Sequence, residues 1–221
     1  MGRVERFGNA TLYLGDMLEL LPTLELFDAI VTDPPYGINV AVDMHKKSGK
    51  QYGRAAAPNN YYESHDWDKQ PISKAVCDML RKQAKCQIIF GGNYFELPPA
   101  RCWLVWDKKN GAVEFADCEL AWTNLDKPVR KFDHMWNGML RAGGEDRNGH
   151  PTQKPLIVME WCLTMLPNDT HTICDPFMGS GTTGVAALRA GKTFIGIEKH
   201  EPYFDIACRR VEAASKQDSL W

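Results

Sequence analysis

Two stretches of this chain hold residues whose types and spacing could do chemistry. The first is "FDAIVTDPPYGIN", residues 27 to 39, where an apolar run leads into Asp33, Pro34, Pro35 and Tyr36 and closes at Gly37. The Asp33 carboxylate and the Pro34 carbonyl offer two acceptors for the two hydrogens of a planar amine, and the Tyr36 ring offers a flat face to an aromatic base. Pro35 locks its own φ and confines Pro34 to an extended conformation, which aims that carbonyl. Taken alone, the same tetrapeptide is ordinary chemistry for a turn that ends a strand.

The second stretch is "ICDPFMGSGTTGVAALRAGKTFIGIE", residues 173 to 198. An apolar run ends at Asp175, a glycine turn follows, a helical pattern runs to Gly191, and a second apolar run finishes at Glu198. Gly179, Gly181 and Gly184 satisfy G-x-G-x-x-G in the strand-turn-helix-strand setting that binds nucleotide-like ligands. Two ligands compete for the turn. A nicotinamide dinucleotide would bring an anionic pyrophosphate, which Asp175 would repel. S-adenosylmethionine brings an ammonium and a sulfonium and no phosphate, so it is the preferred cofactor. Asp175 would attract its cations, Gly179 and Gly181 would let the backbone approach, and Glu198 would accept the ribose hydroxyls. Ser180 and Thr182, in the same turn, join that candidate cofactor set.

Positioning these groups requires a sheet. Seven runs read as strands, at 11–15, 28–32, 86–90, 102–106, 118–122, 171–175 and 193–198. Several are continuously apolar, as expected of strands covered on both faces. Helical patterns lie at 72–84, 154–166, 183–190 and 202–214, the second with Thr152 as N-cap and Pro155 in its first turn. Strands alternating with helices predict one open, mostly parallel α/β domain over residues 1–221. Two polar, glycine-bearing segments, 38–70 and 124–150, are long for connections and are expected to touch substrate.

Composition narrows the function classes. A net charge of −2 provides no global basic field, so any attraction to nucleic acid must come from local clusters. The seven cysteines form an odd set without a C-x-x-C pair, which predicts reduced core thiols and no metal site. No stretch approaches the roughly 18 consecutive apolar residues of a membrane span. A cytoplasmic protein without membrane attachment is expected.

"TDPPYG" (32–37), "HPTQKP" (150–155) and "CDPFMGSGTTGVAA" (174–187) together resemble the DNA amino-methyltransferases, which methylate adenine N6 or cytosine N4 from S-adenosylmethionine. Their order, catalytic loop first and cofactor turn near the C-terminus, looks like the β class of that family. The resemblance implies a Rossmann-like methyltransferase fold, a seven-stranded sheet with one antiparallel strand. It assigns catalysis to Asp33, Pro34, Pro35 and Tyr36, and implies cofactor contacts from Asp16 (adenine), Lys154 with Thr152 (methionine end) and Phe177 (pocket lining). Asp16 could instead be a solvated loop acid or a helix N-cap, and Phe177 a core residue.

DNA is the expected partner, with the target base flipped out of the duplex. Lys46, Lys47, Lys50 and Arg54, interleaved with Tyr52, suit phosphate contact just after the catalytic loop. Arg130 and Lys131 lie in the shorter segment at 124–150, where the β class carries its target-recognition region. Asp before Pro-Pro-Tyr is commoner in the adenine enzymes, which favours N6. Cytosine N4 or RNA methylation, a non-catalytic cofactor-binding subunit, and a dehydrogenase stay open at this level, as does a homodimer. Restriction-modification, or a phage-borne orphan enzyme, is the expected setting.

Overall fold

A computed structural model of the chain describes residues 2–38, 70–110, 116–136 and 153–218. Its strands are β1 (Val4–Phe7), β2 (Ala10–Leu14), β3 (Phe27–Thr32), β4 (Ala84–Phe90), β5 (Trp103–Asp107), β6 (Cys118–Thr123), β7 (Arg130–Asp133), β8 (Thr172–Asp175) and β9 (Thr193–Glu198). They form one sheet in the order β1-β2-β9-β8-β3-β4-β6-β5-β7. All seven expected strands are present within a residue or two of their expected bounds, and β1 and β7 raise the count among the described residues to nine. The expectation of a single antiparallel strand is corrected too. β1 runs antiparallel to β2, and β6 runs antiparallel to both β4 and β5. Both added strands are short edge strands, half or more exposed and interrupted by charged residues, so neither shows the apolar run by which buried strands are recognised.

The helices are α1 (Met17–Leu20), α2 (Lys74–Gln83), α3 (Leu156–Thr164), α4 (Thr182–Arg189) and α5 (Glu201–Asp218). Alternation along the central strands serves two cores. Ala29, Val31, Ile88 and Phe90 pack with Val158, Met159, Val185, Phe204 and Ala207 from α3, α4 and α5. Ile30, Ile89, Cys174 and Ile197 pack on the opposite face with Met17, Leu21 and Leu80. Both faces of β3 and β4 are therefore covered, which is why their sequences are apolar without a break. All seven cysteines are free thiols. No helix among the described residues is long and apolar enough to cross a membrane.

Two helix starts differ from expectation. Ser73 caps α2 through the Val76 N–H, and the helix passes straight into β4 at Ala84. Pro155 is the extended N-cap residue of α3, one step outside the helix, so it is not in the first turn. Thr152 lies outside the described residues.

Candidate active site

Strands β2, β9, β8, β3 and β4 are mutually parallel, so their carboxyl ends share one edge of the sheet. Along that edge stand Asp16 after β2, Glu198 ending β9, Asp175 ending β8, Asp33 after β3 and Gly91 after β4. The chain continues from β8 through α4 to β9 on one side, and from β3 through α2 to β4 on the other. Adjacent β8 and β3 thus bracket the switch point where ligands bind in open α/β sheets. β6 runs the opposite way, so its first residues, Cys118 and Glu119, arrive at this same edge.

On the β8 side, Asp175 is 2 % exposed. Its carboxylate accepts the Thr32 and Thr183 hydroxyls, each at 2.6 Å, and the Phe177 N–H at 3.1 Å. These three donors engage the carboxylate expected to attract a cofactor cation. Its oxygens tie the glycine turn to the end of β3, and burial raises its pKa to about 6 against the pull of those donors. Gly181 is the N-cap of α4 with φ +78°, and a Cβ there would stand 3.0 Å from the Ala207 Cβ. Only glycine takes that conformation without strain in so close an approach to α5. No side chain caps α4, which leaves its first N–H groups available to an outside acceptor. Ser180 and Thr182 are buried, and one Arg210 nitrogen donates to the Ser180 carbonyl, the Ser180 hydroxyl and the Thr182 hydroxyl at 2.8, 3.0 and 2.9 Å.

Glu198 accepts the Gly179 N–H at 2.9 Å and the His200 N–H at 2.7 Å. Burial lifts its pKa to about 7, against the downward pull of those bonds. Asp16 does cap α1, accepting the Leu18 N–H at 2.9 Å, and it pairs with Lys199 at 2.8 Å. Burial pushes its carboxyl up, but Lys199 and the Leu18 N–H outweigh that and hold it below the ordinary value. Phe177 is partly buried against the core that contains Met17 and Ile197. The structure thus gathers Asp16, Asp175, Phe177, Gly179, Ser180, Gly181, Thr182 and Glu198 around the ends of three adjacent strands. Asp16 and Glu198 beside the glycine turn suit a ligand with cations and hydroxyls, and Arg210, the one arginine touching the turn among the described residues, is committed to holding it.

On the β3 side the geometry is ionic. Lys154, 8 % exposed at its side chain, pairs closely with one Asp33 oxygen and lies 3.1 Å from Glu119 Oε2. The other Asp33 oxygen accepts the Tyr36 hydroxyl at 2.5 Å. Burial pushes the Asp33 carboxyl up, Lys154 pulls it back, and the Glu119 charge adds to the rise; the net direction is up. Burial would strip the Lys154 proton, yet the two carboxylates keep its pKa above the usual lysine value. Glu119 is held below the usual glutamate value despite burial, by Lys154 first and then by Lys108, whose ammonium is 2.5 Å from Oε1. Lys154, expected at the cofactor's methionine end, is thus placed against Asp33. Pro34 is buried and Pro35 half-buried beside it.

Tyr36 is stacked on Tyr94, ring centroids 5.2 Å apart at 16°, with Phe95 edge-on at 6.1 Å. Gly91, at φ +68°, lies against the Tyr36 ring, where a Cβ would come within 2.2 Å of it. Tyr36 also forms a β-bridge with Pro71. Lys46, Lys47, Lys50 and Arg54 lie outside the described residues. Arg130 and Lys131 are brought elsewhere, onto β7, where Lys131 pairs with Asp107 and Asp133, each at 2.9 Å.

Glu119, Lys108, Tyr94 and Arg210 escaped the sequence reasoning because each belongs to an element outside the three motifs. For Glu119 there was a faint signal, a lone carboxylate in the strand pattern "CELAW". For Tyr94 it was "GGNYF", two aromatics after a glycine pair that ends a strand.

A family model for DNA methylases matches residues 66–209. The chain is 41% identical over 88 residues to the type II methyltransferase M2.DpnII of Streptococcus pneumoniae, covering 39% of this chain and 33% of that relative. The matched stretch therefore spans about a third of that relative's length. A second relative, the type II methyltransferase M.ScaI of Streptomyces caespitosus, is 29% identical with 94% of this chain and 83% of its own length aligned. Among solved structures, the M1.HpyAVI-SAM complex superposes with a TM-score of 0.56 at 23% identity, over 91% of this chain and 98% of that one. The cytosine-N4-specific PvuII DNA methyltransferase gives 0.57 at 15%, over 96% and 93%. These two likenesses establish a shared fold.

Proposed function

This chain belongs to the DNA methylase family, and on that premise we propose that it transfers methyl from S-adenosylmethionine to an exocyclic amine of DNA, adenine N6 before cytosine N4. The observation that carries the proposal is the junction of β3 and β8. The Thr32–Asp175 hydrogen bond ties the strand end from which the glycine turn departs to the residue that precedes Asp33. A cofactor held by the turn and a base held by Asp33 would therefore share one crevice.

The residues fit the cofactor by their donor set. The uncapped α4 start suits an α-carboxylate, Glu198 suits ribose hydroxyls, and Asp16, at the end of β2, lies within the same row of strand ends. Bound there, S-adenosylmethionine supplies a methyl carbon on a sulfonium; its C–S bond breaks as the C–N bond forms, and the bonding pair leaves on sulfur. The protein's part is with the amine. The Asp33 carboxylate and the Pro34 carbonyl accept its two hydrogens, bonds that strengthen as nitrogen gains positive charge. Asp33 then takes the proton that the methylated nitrogen must lose, a task its raised proton affinity suits. Orientation supplies much of the remaining acceleration. Tyr36 supports the flipped base, which requires Tyr94 to give way or to join the stack.

Adenine is favoured by the aspartate before Pro-Pro-Tyr. The test offers labelled S-adenosylmethionine with unmethylated duplex DNA, single-stranded DNA and RNA, followed by nucleoside analysis. N6-methyladenine in duplex DNA is the expected product. N4-methylcytosine would move the assignment to the other base, label in RNA would change the polymer, and absence of transfer to all three would overturn the proposal.

A further inference from the structure

Asp33 cannot serve an incoming amine well in the arrangement seen, because Tyr36 and Lys154 already engage its two oxygens. One of them must yield. Lys154 is buried, and a buried ammonium that leaves its only counter-charge pays heavily for it. Glu119 removes that obstacle. It stands 3.1 Å from the same ammonium, on a strand whose reversed direction carries its first residues to the catalytic edge. Its far oxygen is held by Lys108, which also lies over the Trp106 ring at 5.1 Å. β6 and β5 pair Glu119 directly with Trp106, so Lys108 follows immediately after the paired strand and the triad is fixed by sheet register.

We propose that Glu119 is a positioning residue for methyl transfer: it offers Lys154 a second carboxylate, so that Lys154 can release Asp33 to the target amine without being left unpaired. Lys108 sets how strongly Glu119 competes. This inference rests on the methyl-transfer reading above. Among the described residues, the charged and titratable groups facing Asp33 are Tyr36 on its own loop, Lys154 before α3, Glu119 on β6 and Asp175 ending β8, with Lys108 behind Glu119. Removing the Glu119 charge leaves Lys154 to Asp33 alone, which tightens that pair and lowers the proton affinity of Asp33. Removing the Lys108 charge lets Glu119 draw Lys154 away and does the reverse.

The test measures kcat, KM for S-adenosylmethionine and the acid limb of kcat against pH, on duplex DNA that the wild-type protein methylates. The 13C signal of the Asp33 carboxyl, followed in cofactor-free protein, gives a readout independent of turnover. Glu119→Gln is expected to lower kcat by about tenfold or more with KM for the cofactor little changed. It should move both the acid limb and the Asp33 titration to lower pH. Glu119→Asp should restore their position, and Lys108→Met should move both to higher pH. The opposed directions of Glu119→Gln and Lys108→Met keep the test decisive should either variant fold poorly, since the other still has a required sign. Wild-type kcat and pH profile in Glu119→Gln would overturn the proposal, as would a change confined to cofactor KM or shifts of the same sign in both variants. If the wild-type protein methylates no polymer, the methyl-transfer reading falls and this inference with it; if it does and the variants do not shift, only the inference falls.

Discussion

The two sides of the crevice are built from different materials. At the ends of β8 and β9, Asp175 faces two hydroxyls and a backbone N–H, and Glu198 faces two more N–H groups, so these two carboxylates are held by neutral donors. At the end of β3, Asp33 and Glu119 share one buried lysine. Neutral hydrogen bonds fix a shape, whereas a shared cation can change partners. Under the proposed function, the contrast is between a rigid turn for the cofactor and a charge cluster that rearranges when the base arrives.

Substitution at the charge cluster should have the largest effect. Asp33→Ala removes the carboxylate proposed to accept from the amine and is expected to lower methyl transfer by at least about 10³-fold, read as initial rates with labelled cofactor. Next comes the rigid side. Asp175→Ala strands the Thr32 and Thr183 hydroxyls and is expected to cost about 3 kcal/mol of folding stability, measured by urea denaturation. Cofactor affinity should fall with it. A variant of wild-type stability that merely binds cofactor weakly would restore a direct role for Asp175 with the cofactor's cation.

A smaller effect sharpens the same side through pH. Glu198 sits near 7 against an ordinary 4.5, and Asp175 near 6 against 3.8. Raised folded-state values mean that the folded chain holds more protons than the unfolded chain between those limits. Stability of the cofactor-free protein should therefore rise as pH falls from about 7 to about 4.5, by at most about 1.4 kcal/mol per unit for each group. Glu198→Gln should flatten the upper part of that slope in denaturation series at several pH values. Smallest of all is Lys131→Ala. Its exposed pairs on β7 predict a stability change under about 1 kcal/mol and a weak effect on DNA binding by fluorescence anisotropy. A large loss of DNA affinity would put β7 in the interface after all.

The buried strands and both loops of the crevice were legible in the sequence because their signals are local. An apolar run, a glycine turn and Asp-Pro-Pro-Tyr each state their own geometry within a few residues. Edge strands β1 and β7 were not legible, since a half-exposed strand of four residues has no apolar excess. Glu119 was not legible for a deeper reason. Its place at the site follows from the reversed direction of β6 beside β4, a tertiary fact that no local pattern reports. For the same reason Lys154 and Asp33 could each be picked out from a motif while their pairing could not. That ionic contact spans 121 residues of chain.

Division of labour between the two sides is the central claim, and calorimetric titration of S-adenosylmethionine into Asp33→Ala protein tests it most directly. The account predicts a dissociation constant within about threefold of the wild-type value in a protein that no longer transfers methyl, since the turn on β8 keeps its own hydrogen bonds. Loss of cofactor binding together with turnover, in a variant that remains folded, would contradict it.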